Sequence, residues 1–218
     1  MTRILCLETA STNCSVALSV DGSVAAFKED NGRNYSHSES LHVFIEEMLA
    51  EAEVSLDQLD AIAVSKGPGS YTGLRIGVSA AKGLCFSLDI PLISVPTLDN
   101  LAMQVASEGF IVPMLDARRM EVYTAVYDRQ HQILEPVRAQ VLEENAFSEQ
   151  LEQSKVIFVG GGAAKFQTVC QHANAEFLTE VQPSARVMAA TAQGKFDAGQ
   201  FEDVAYFEPY YLKDFMPG

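Results

Sequence analysis

The chain has 218 residues, 48% of them hydrophobic and 20% charged, a balance that excludes disordered, collagen-like and coiled-coil architectures. Its 15 basic and 29 acidic residues leave a net charge of -14, so the bare surface repels polyanions and an autonomous nucleic-acid binder is excluded. No apolar run approaches the roughly 20 residues of a membrane span, and Cys6, Cys14, Cys85 and Cys170 form no Cys-x-x-Cys, which implies reduced core thiols of a cytoplasmic protein.

In chain order, Ile4 to Glu8 is an apolar strand ending in an acid, and Thr9 to Asn13 is a small polar loop. Ser15 to Val20 alternates toward an Asp21-Gly22 turn, and Ser23 to Phe27 continues as a third strand. After Asn31-Gly32, Ser36 or Ser38 caps a helix. Within it Leu41, Phe44, Ile45, Met48, Leu49 and Ala52 recur at amphipathic spacing. Ala61 to Ser65 is a strand, Gly67-Pro68-Gly69-Ser70 a turn and Thr72 to Leu88 a helix; Pro91 opens a strand to Val95, and Thr97 or Asp99 starts another helix.

The order then repeats. Ile111 to Asp116 is again an apolar strand ending in an acid, Ala117 to Met120 a loop and Val122 to Tyr127 a strand. Val156 to Val159, Gly160-Gly161-Gly162 and a helical Ala163 to Gln171 follow as strand, glycine turn and helix. This layout predicts an α/β protein of two duplicated lobes, each a mixed sheet flanked by helices, with Glu8 and Asp116 facing one another across a cleft. It resembles the actin-like, ribonuclease H-like superfamily. The expected boundaries are 1–108 for the first lobe, 109–200 for the second and 201–218 for a C-terminal segment. Tyr206, Phe207, Tyr210, Tyr211, Leu212 and Phe215 make that segment too apolar to trail in water.

The string from Lys66 to Gly77 is not a phosphate loop, because no lysine stands where Gly-x-x-x-x-Gly-Lys-[Ser/Thr] requires one. Gly73, Gly77 and Ala81 recur every four residues and strip one helix face of bulk for a close neighbour. Gly-x-Ser-x-Gly is absent around Ser70, so a serine nucleophile is a poor reading. His37, His42, His131 and His172 make no shared-face pair and are assigned to the surface.

The opening Ile4 to Ser11, the string Gly67 to Gly77, Asp116-Ala117-Arg118 with Glu121-Val122-Tyr123, and Pro209 with Tyr211-Leu212 together resemble the bacterial TsaB (YeaZ) family. That resemblance implies a non-catalytic partner of the paralogous TsaD in making N6-threonylcarbamoyladenosine at adenosine 37 of tRNAs reading codons that begin with A. The ATPase TsaE and a TsaC-type enzyme complete the implied pathway, with tRNA reached only through the complex. The catalytic paralogue carries a His-x-x-x-His metal pair where this chain has Thr97 to Leu101, and a Gly-Gly-His-Thr stretch where it has Asp116 to Arg119. Hence no catalytic residue, metal or cofactor of its own is expected, and Glu8, Asp116, Gly160, Gly161 and Gly162 stand as candidates for a vestigial nucleotide cleft. The competing reading is a self-sufficient small ATPase or phosphotransferase with nucleotide at those same residues.

Spacing assigns Leu74, Val78, Cys85 and Leu88 to the core and leaves Gly73, Ile76, Gly77, Ala80 and Leu84 as an uncovered small-residue face. With Leu41, Phe44, Ile45 and Met48 of the preceding helix, this face is the expected surface for TsaD, or for a second copy of the chain when TsaD is absent.

Overall fold

The computed structural model describes residues 1–32 and 37–213. Two compact units emerge: residues 1–97 with 183–211, and residues 98–182 with the short stretch beginning at Leu212. Six α-helices are present among the described residues: α1 (His37–Glu51), α2 (Tyr71–Leu88), α3 (Thr97–Ala102), α4 (Ser148–Gln153), α5 (Ala163–Gln167) and α6 (Met188–Asp197).

The first unit is built on β1 (Arg3–Glu8), β2 (Cys14–Val20), β3 (Ser23–Asp30), β4 (Ala61–Gly67) and β5 (Leu92–Pro96), in the order β3-β2-β1-β4-β5. β1 runs antiparallel to β2, with Leu5 opposite Leu18, and parallel to β4, with Leu5 opposite Ile62. Side chains alternate across the sheet. Leu5, Leu7, Val16 and Leu18 meet Leu41 and Met48 of α1 and Val78 and Cys85 of α2. On the opposite face Ile4, Cys6, Ala17 and Ile93 meet Met188 and Ala192 of α6. Two covered faces explain why β1 reads as a continuous apolar run rather than an alternating one.

The second unit repeats the order as β8-β7-β6-β9-β10, with β6 (Phe110–Asp116), β7 (Glu121–Tyr127), β8 (Ile133–Val141), β9 (Val156–Val159) and β10 (Ala175–Leu178). One face packs Phe158, Phe166 and Phe177 as a ring cluster, Phe158 and Phe166 lying edge to face at 4.8 Å. The other packs Leu98 and Leu101 of α3 against Ile111, Leu115 and Tyr127. Tyr127, buried, donates its hydroxyl to Asp99 Oδ1 at 2.5 Å, which satisfies the one polar atom this ring brings into the core.

The expected boundaries at 108/109 and 200/201 are corrected to 97/98 and 182/183. α3 shares the hydrophobic cluster of the second sheet, whereas α6, expected in the second lobe, supplies the back layer of the first. α1 begins at His37, so Ser38 lies inside it and not at its cap, and Ser36 lies outside the described residues. α5 ends at Gln167 instead of Gln171. β8, α4, β10 and α6 are additions to the elements read from sequence. β8 carries Glu135, Pro136, Arg138 and Gln140, the polar signature of an edge strand that mimics a loop. All four cysteines are buried and unpaired, and among the described residues no helix is long and apolar enough to cross a membrane.

Candidate functional site

The glycine string is shaped by the loop that follows β1. Ala10 O accepts the Ser70 amide at 2.7 Å, and the Thr9 hydroxyl donates to Gly73 O at 2.7 Å. A Cβ on Gly73 would lie 2.0 Å from Thr9 O, one on Gly77 2.3 Å from Thr9 Oγ1, and one on Gly69 2.4 Å from Ala10 O. The three glycines therefore let the 9–10 loop lie directly on the start of α2. Ser70 caps that helix, its Oγ accepting the Gly73 amide at 3.2 Å, so its hydroxyl serves the backbone.

Glu8 ends β1 fully buried. Its Oε1 accepts the Ala10 amide at 2.7 Å. Burial pushes the carboxyl up from the ordinary 4.5 to about 7, opposed by hydrogen bonds from Ala10, Ser65 and Thr9. Ser65 Oγ also lies 2.6 Å from Thr97 Oγ1, which accepts the Gly67 amide at 3.1 Å. Thr97 thus ties β4 to the residue that follows β5. Among the described residues no group of three His, Cys, Asp or Glu side chains has a geometry suited to a metal ion.

Asp116 ends β6 in a different environment. It is exposed; its Oδ1 accepts the Arg118 amide at 2.6 Å and the Lys165 ammonium at 2.7 Å. The same ammonium donates to Arg119 O at 2.5 Å and Glu121 O at 3.5 Å. The glycine turn after β9 is packed from below: a Cβ on Gly160, whose φ is +111°, would lie 2.5 Å from Met114 O, and one on Gly162 2.8 Å from Val122 Cγ1. These glycines answer the backbone and side chains of β6 and β7. Gly161, where a Cβ would meet only Gln182 Nε2 at 3.4 Å, is the one with space. The close approach of β6 and β7 is by itself enough to require glycine at 160 and 162.

The helical face requires correction. Leu41, Ile45 and Met48 are buried in the core of the first unit, and Gly73 and Gly77 are covered by the Thr9 loop. Those five residues are not available to a partner. Phe44, Ile76, Ala80 and Leu84 are half-buried at the core margin, and Leu88, assigned to the core, is only half-buried. The smooth ridge on α2 is instead Ile76, Ala80, Gly83 and Ser87, at i, i+4, i+7 and i+11, with Ser79 beside it; a Cβ on Gly83 would meet nothing within 4 Å. Phe86 is 84% exposed and Val43 of α1 48% exposed. The i, i+4, i+7 spacing from Ile76 is legible in the sequence, but the four-residue glycine rhythm turns the expected face toward Gly73 and Gly77, only part of a turn from the ridge it shares through Ile76 and Ala80.

The described part of the C-terminal segment, through residue 211, runs along another edge of α2. Lys82 Nζ donates to Phe207 O at 2.9 Å and Ala205 O at 3.2 Å, Tyr210 N donates to Lys66 O at 2.7 Å, and the Tyr211 ring lies tilted by 37° against Tyr71 with centroids 5.0 Å apart. Phe207 packs on the core, whereas Tyr206 is 84% exposed, and Phe215 lies outside the described residues. A cleft of about 430 Å³ opens here, lined by Lys66, Glu202, Tyr206, Glu208 and Tyr210 among others. Of the histidines, His42 and His172 are exposed as expected. His131 is half-buried, its Nε2 2.9 Å from Val105 O, and the side chain of His37 lies outside the described residues.

Two sheets of identical strand order, each β1-like strand ending in an acid and followed later by a glycine turn, define a duplicated actin-like protein. The component A structure of Acidaminococcus fermentans (R)-2-hydroxyglutaryl-CoA dehydratase shares that fold, with a TM-score of 0.51 at 11% identity over 89% of this chain and 99% of that one. The family model described as "TsaD: tRNA N6-adenosine threonylcarbamoyltransferase" matches residues 33–214. The Escherichia coli (strain K12) tRNA threonylcarbamoyladenosine biosynthesis protein TsaB is 32% identical, covering 97% of this chain and 95% of its own. The structure of YeaZ from Pseudomonas aeruginosa superposes with a TM-score of 0.84 at 27% identity, over 97% of this chain and 100% of that one. The chain belongs to the TsaB (YeaZ) family, within the wider group that the TsaD model describes.

Proposed function

We propose that this protein is a non-catalytic accessory subunit of the machinery that transfers a threonylcarbamoyl group to N6 of adenosine 37 in tRNAs reading codons that begin with A. The observation that carries the reading is the whole-length match to a relative named as a tRNA threonylcarbamoyladenosine biosynthesis protein. Thr97 engaged with Ser65 and Gly67, Glu8 folded onto its own loop and Asp116 neutralised by Lys165 support a chain without catalysis, metal or cofactor of its own. It works in the cytoplasm, with TsaD as its principal partner and TsaE as a third subunit, and meets tRNA within that assembly.

The docking surface in this reading is the outer ridge of α2, Ile76, Ala80, Gly83 and Ser87, with Phe86 and Val43. Small side chains at a helix surface let a second helix approach closely, and Phe86 is an apolar anchor that the chain leaves in solvent. The same ridge pairs two copies when TsaD is absent. The test mixes the protein with TsaD, follows mass by light scattering and assays threonylcarbamoyladenosine formation. Ala80→Arg and Gly83→Arg are expected to weaken association at least about a hundredfold, the cost of burying an unpaired charge at a packed contact, while the variants melt as the parent does. Undiminished association would move the surface elsewhere, and transfer by the chain alone would refute its non-catalytic role.

A further inference from the structure

We infer that Asn31, just past the end of β3, is a site of deamidation, with the Asp30 carboxylate as the proton acceptor that promotes it. Asn31 is followed by Gly32, and no other asparagine in the chain is followed by glycine. Asn31 is exposed, and neither it nor Gly32 belongs to a helix or strand. No ladder of backbone bonds therefore fixes the torsions that bring the Asn31 amide carbon onto the next backbone nitrogen. Glycine at 32 leaves that nitrogen without a shielding side chain. The Gly32 amide donates to Asp30 Oδ1 at 2.8 Å, and a Cβ on Gly32 would lie 3.0 Å from Oδ1 and 3.1 Å from Oδ2. The proton that the nucleophile must lose is already bound to a carboxylate, and any larger residue at 32 would push that carboxylate away.

As the Gly32 nitrogen forms its bond to Asn31 Cγ, its proton passes to Asp30 Oδ1, a transfer within the reach of general base catalysis. The Cγ–Nδ2 bond then breaks, the proton leaves with the nitrogen as ammonia, and a five-membered succinimide remains. Water opens this ring: attack at Cγ gives aspartate, attack at the backbone carbonyl carbon gives isoaspartate. Either product adds one negative charge beside Glu29 and Asp30, and isoaspartate lengthens by one carbon the backbone leading from β3 to α1. Asp21-Gly22 offers a contrast within the same unit. It closes the β2–β3 hairpin with φ of 48° and 78°, and Asp21 Oδ1 accepts the Thr2 amide at 2.7 Å. That carboxyl is tied to Thr2 and the turn is set by strands on both sides, which opposes cyclisation through Gly22. Asn174, followed by Ala175 at the start of β10, donates its side-chain amide to Leu151 O at 2.9 Å.

The test incubates the full chain at neutral pH and follows conversion by peptide mass mapping, with isoaspartate read by labelled methyl transfer from an isoaspartyl methyltransferase. Parent, Asp30→Ala, Gly32→Ala and Asn31→Gln are compared. The parent should accumulate a more acidic species whose change maps to Asn31, while the peptides holding Asp21 and Asn174 stay unmodified over the same interval. Asp30→Ala should convert about tenfold more slowly, the low end for a general base in contact with water. Gly32→Ala should slow at least as much, because its Cβ shields the nitrogen and displaces the carboxylate. Asn31→Gln should gain no label, and all four should melt alike. In denaturant, where the contact between Asp30 and the Gly32 amide is lost, parent and Asp30→Ala should convert at nearly equal rates. A parent that stays intact at Asn31, or that converts first at Asp21 or Asn174, would overturn the site. Equal or faster conversion in Asp30→Ala, or a difference that survives undiminished in denaturant, would overturn the part given to the folded Asp30 carboxylate.

Discussion

The two units spend the same strand order in opposite ways. In the first, Glu8 at the end of β1 is sealed under its own loop, and the glycines that follow β4 let that loop press on the 18 residues of α2. In the second, Asp116 at the end of β6 is exposed and bound by a lysine, and the corresponding helix α5 has 5 residues. The first unit has kept a long helix with an uncommitted outer ridge, the second a short helix whose lysine organises a loop. Topology alone therefore does not say where a duplicated fold works; the packing at each strand end does.

Substitutions of glycine should break that comparison most sharply. Gly73→Ala places a methyl 2.0 Å from the Thr9 carbonyl oxygen, and backbone cannot step aside. A loss of at least about 3 kcal/mol, or failure to fold, is expected by chemical denaturation. Gly161→Ala in the second unit's turn meets only a side-chain amide at 3.4 Å and should change stability by less than about 1 kcal/mol. If both are tolerated, the 9–10 loop is not clamped as described.

Next in size is the contrast of the two acids. The Glu8 carboxyl is raised from 4.5 to about 7, so the folded state holds a proton that the unfolded chain has released between those values. Stability is accordingly full below about 4.5, falls as pH rises to about 7 and is flat beyond, by up to about 3 kcal/mol in total. Glu8→Gln should remove that decline and gain most of this amount at neutral pH, measured as the difference between parent and variant melts across pH. Asp116→Asn, which weakens an exposed pair with Lys165, should cost no more than about 1 kcal/mol. Equal pH profiles for parent and Glu8→Gln would show the buried carboxyl to be solvated.

The smallest effect carries a sign. Gly83→Ala on the open ridge of α2 should raise stability by about 0.5 to 1 kcal/mol, since a Cβ there meets nothing and alanine stiffens the unfolded chain. A destabilised Gly83→Ala would mean that the ridge is already covered within the chain.

Residue order alone determined the strands β1 to β7 and β9, the helices α1 to α3, the duplicated layout and the family, because apolar runs, turn residues and the glycine string are local signals. Helix periodicity also told that α2 has a smooth side. Only the tertiary structure decided which side is covered: Gly73 and Gly77 are filled by Thr9, 64 residues away in the case of Gly73, so the free ridge passes through Gly83. Likewise α6 belongs to the first sheet because Met188 and Ala192 fit its back face. The Lys165 ammonium reaches a loop 49 residues earlier because α5 ends one strand away in space. Periodicity fixes that a face is apolar or small; what lies against it depends on chain segments distant in sequence, and no local pattern encodes that distance.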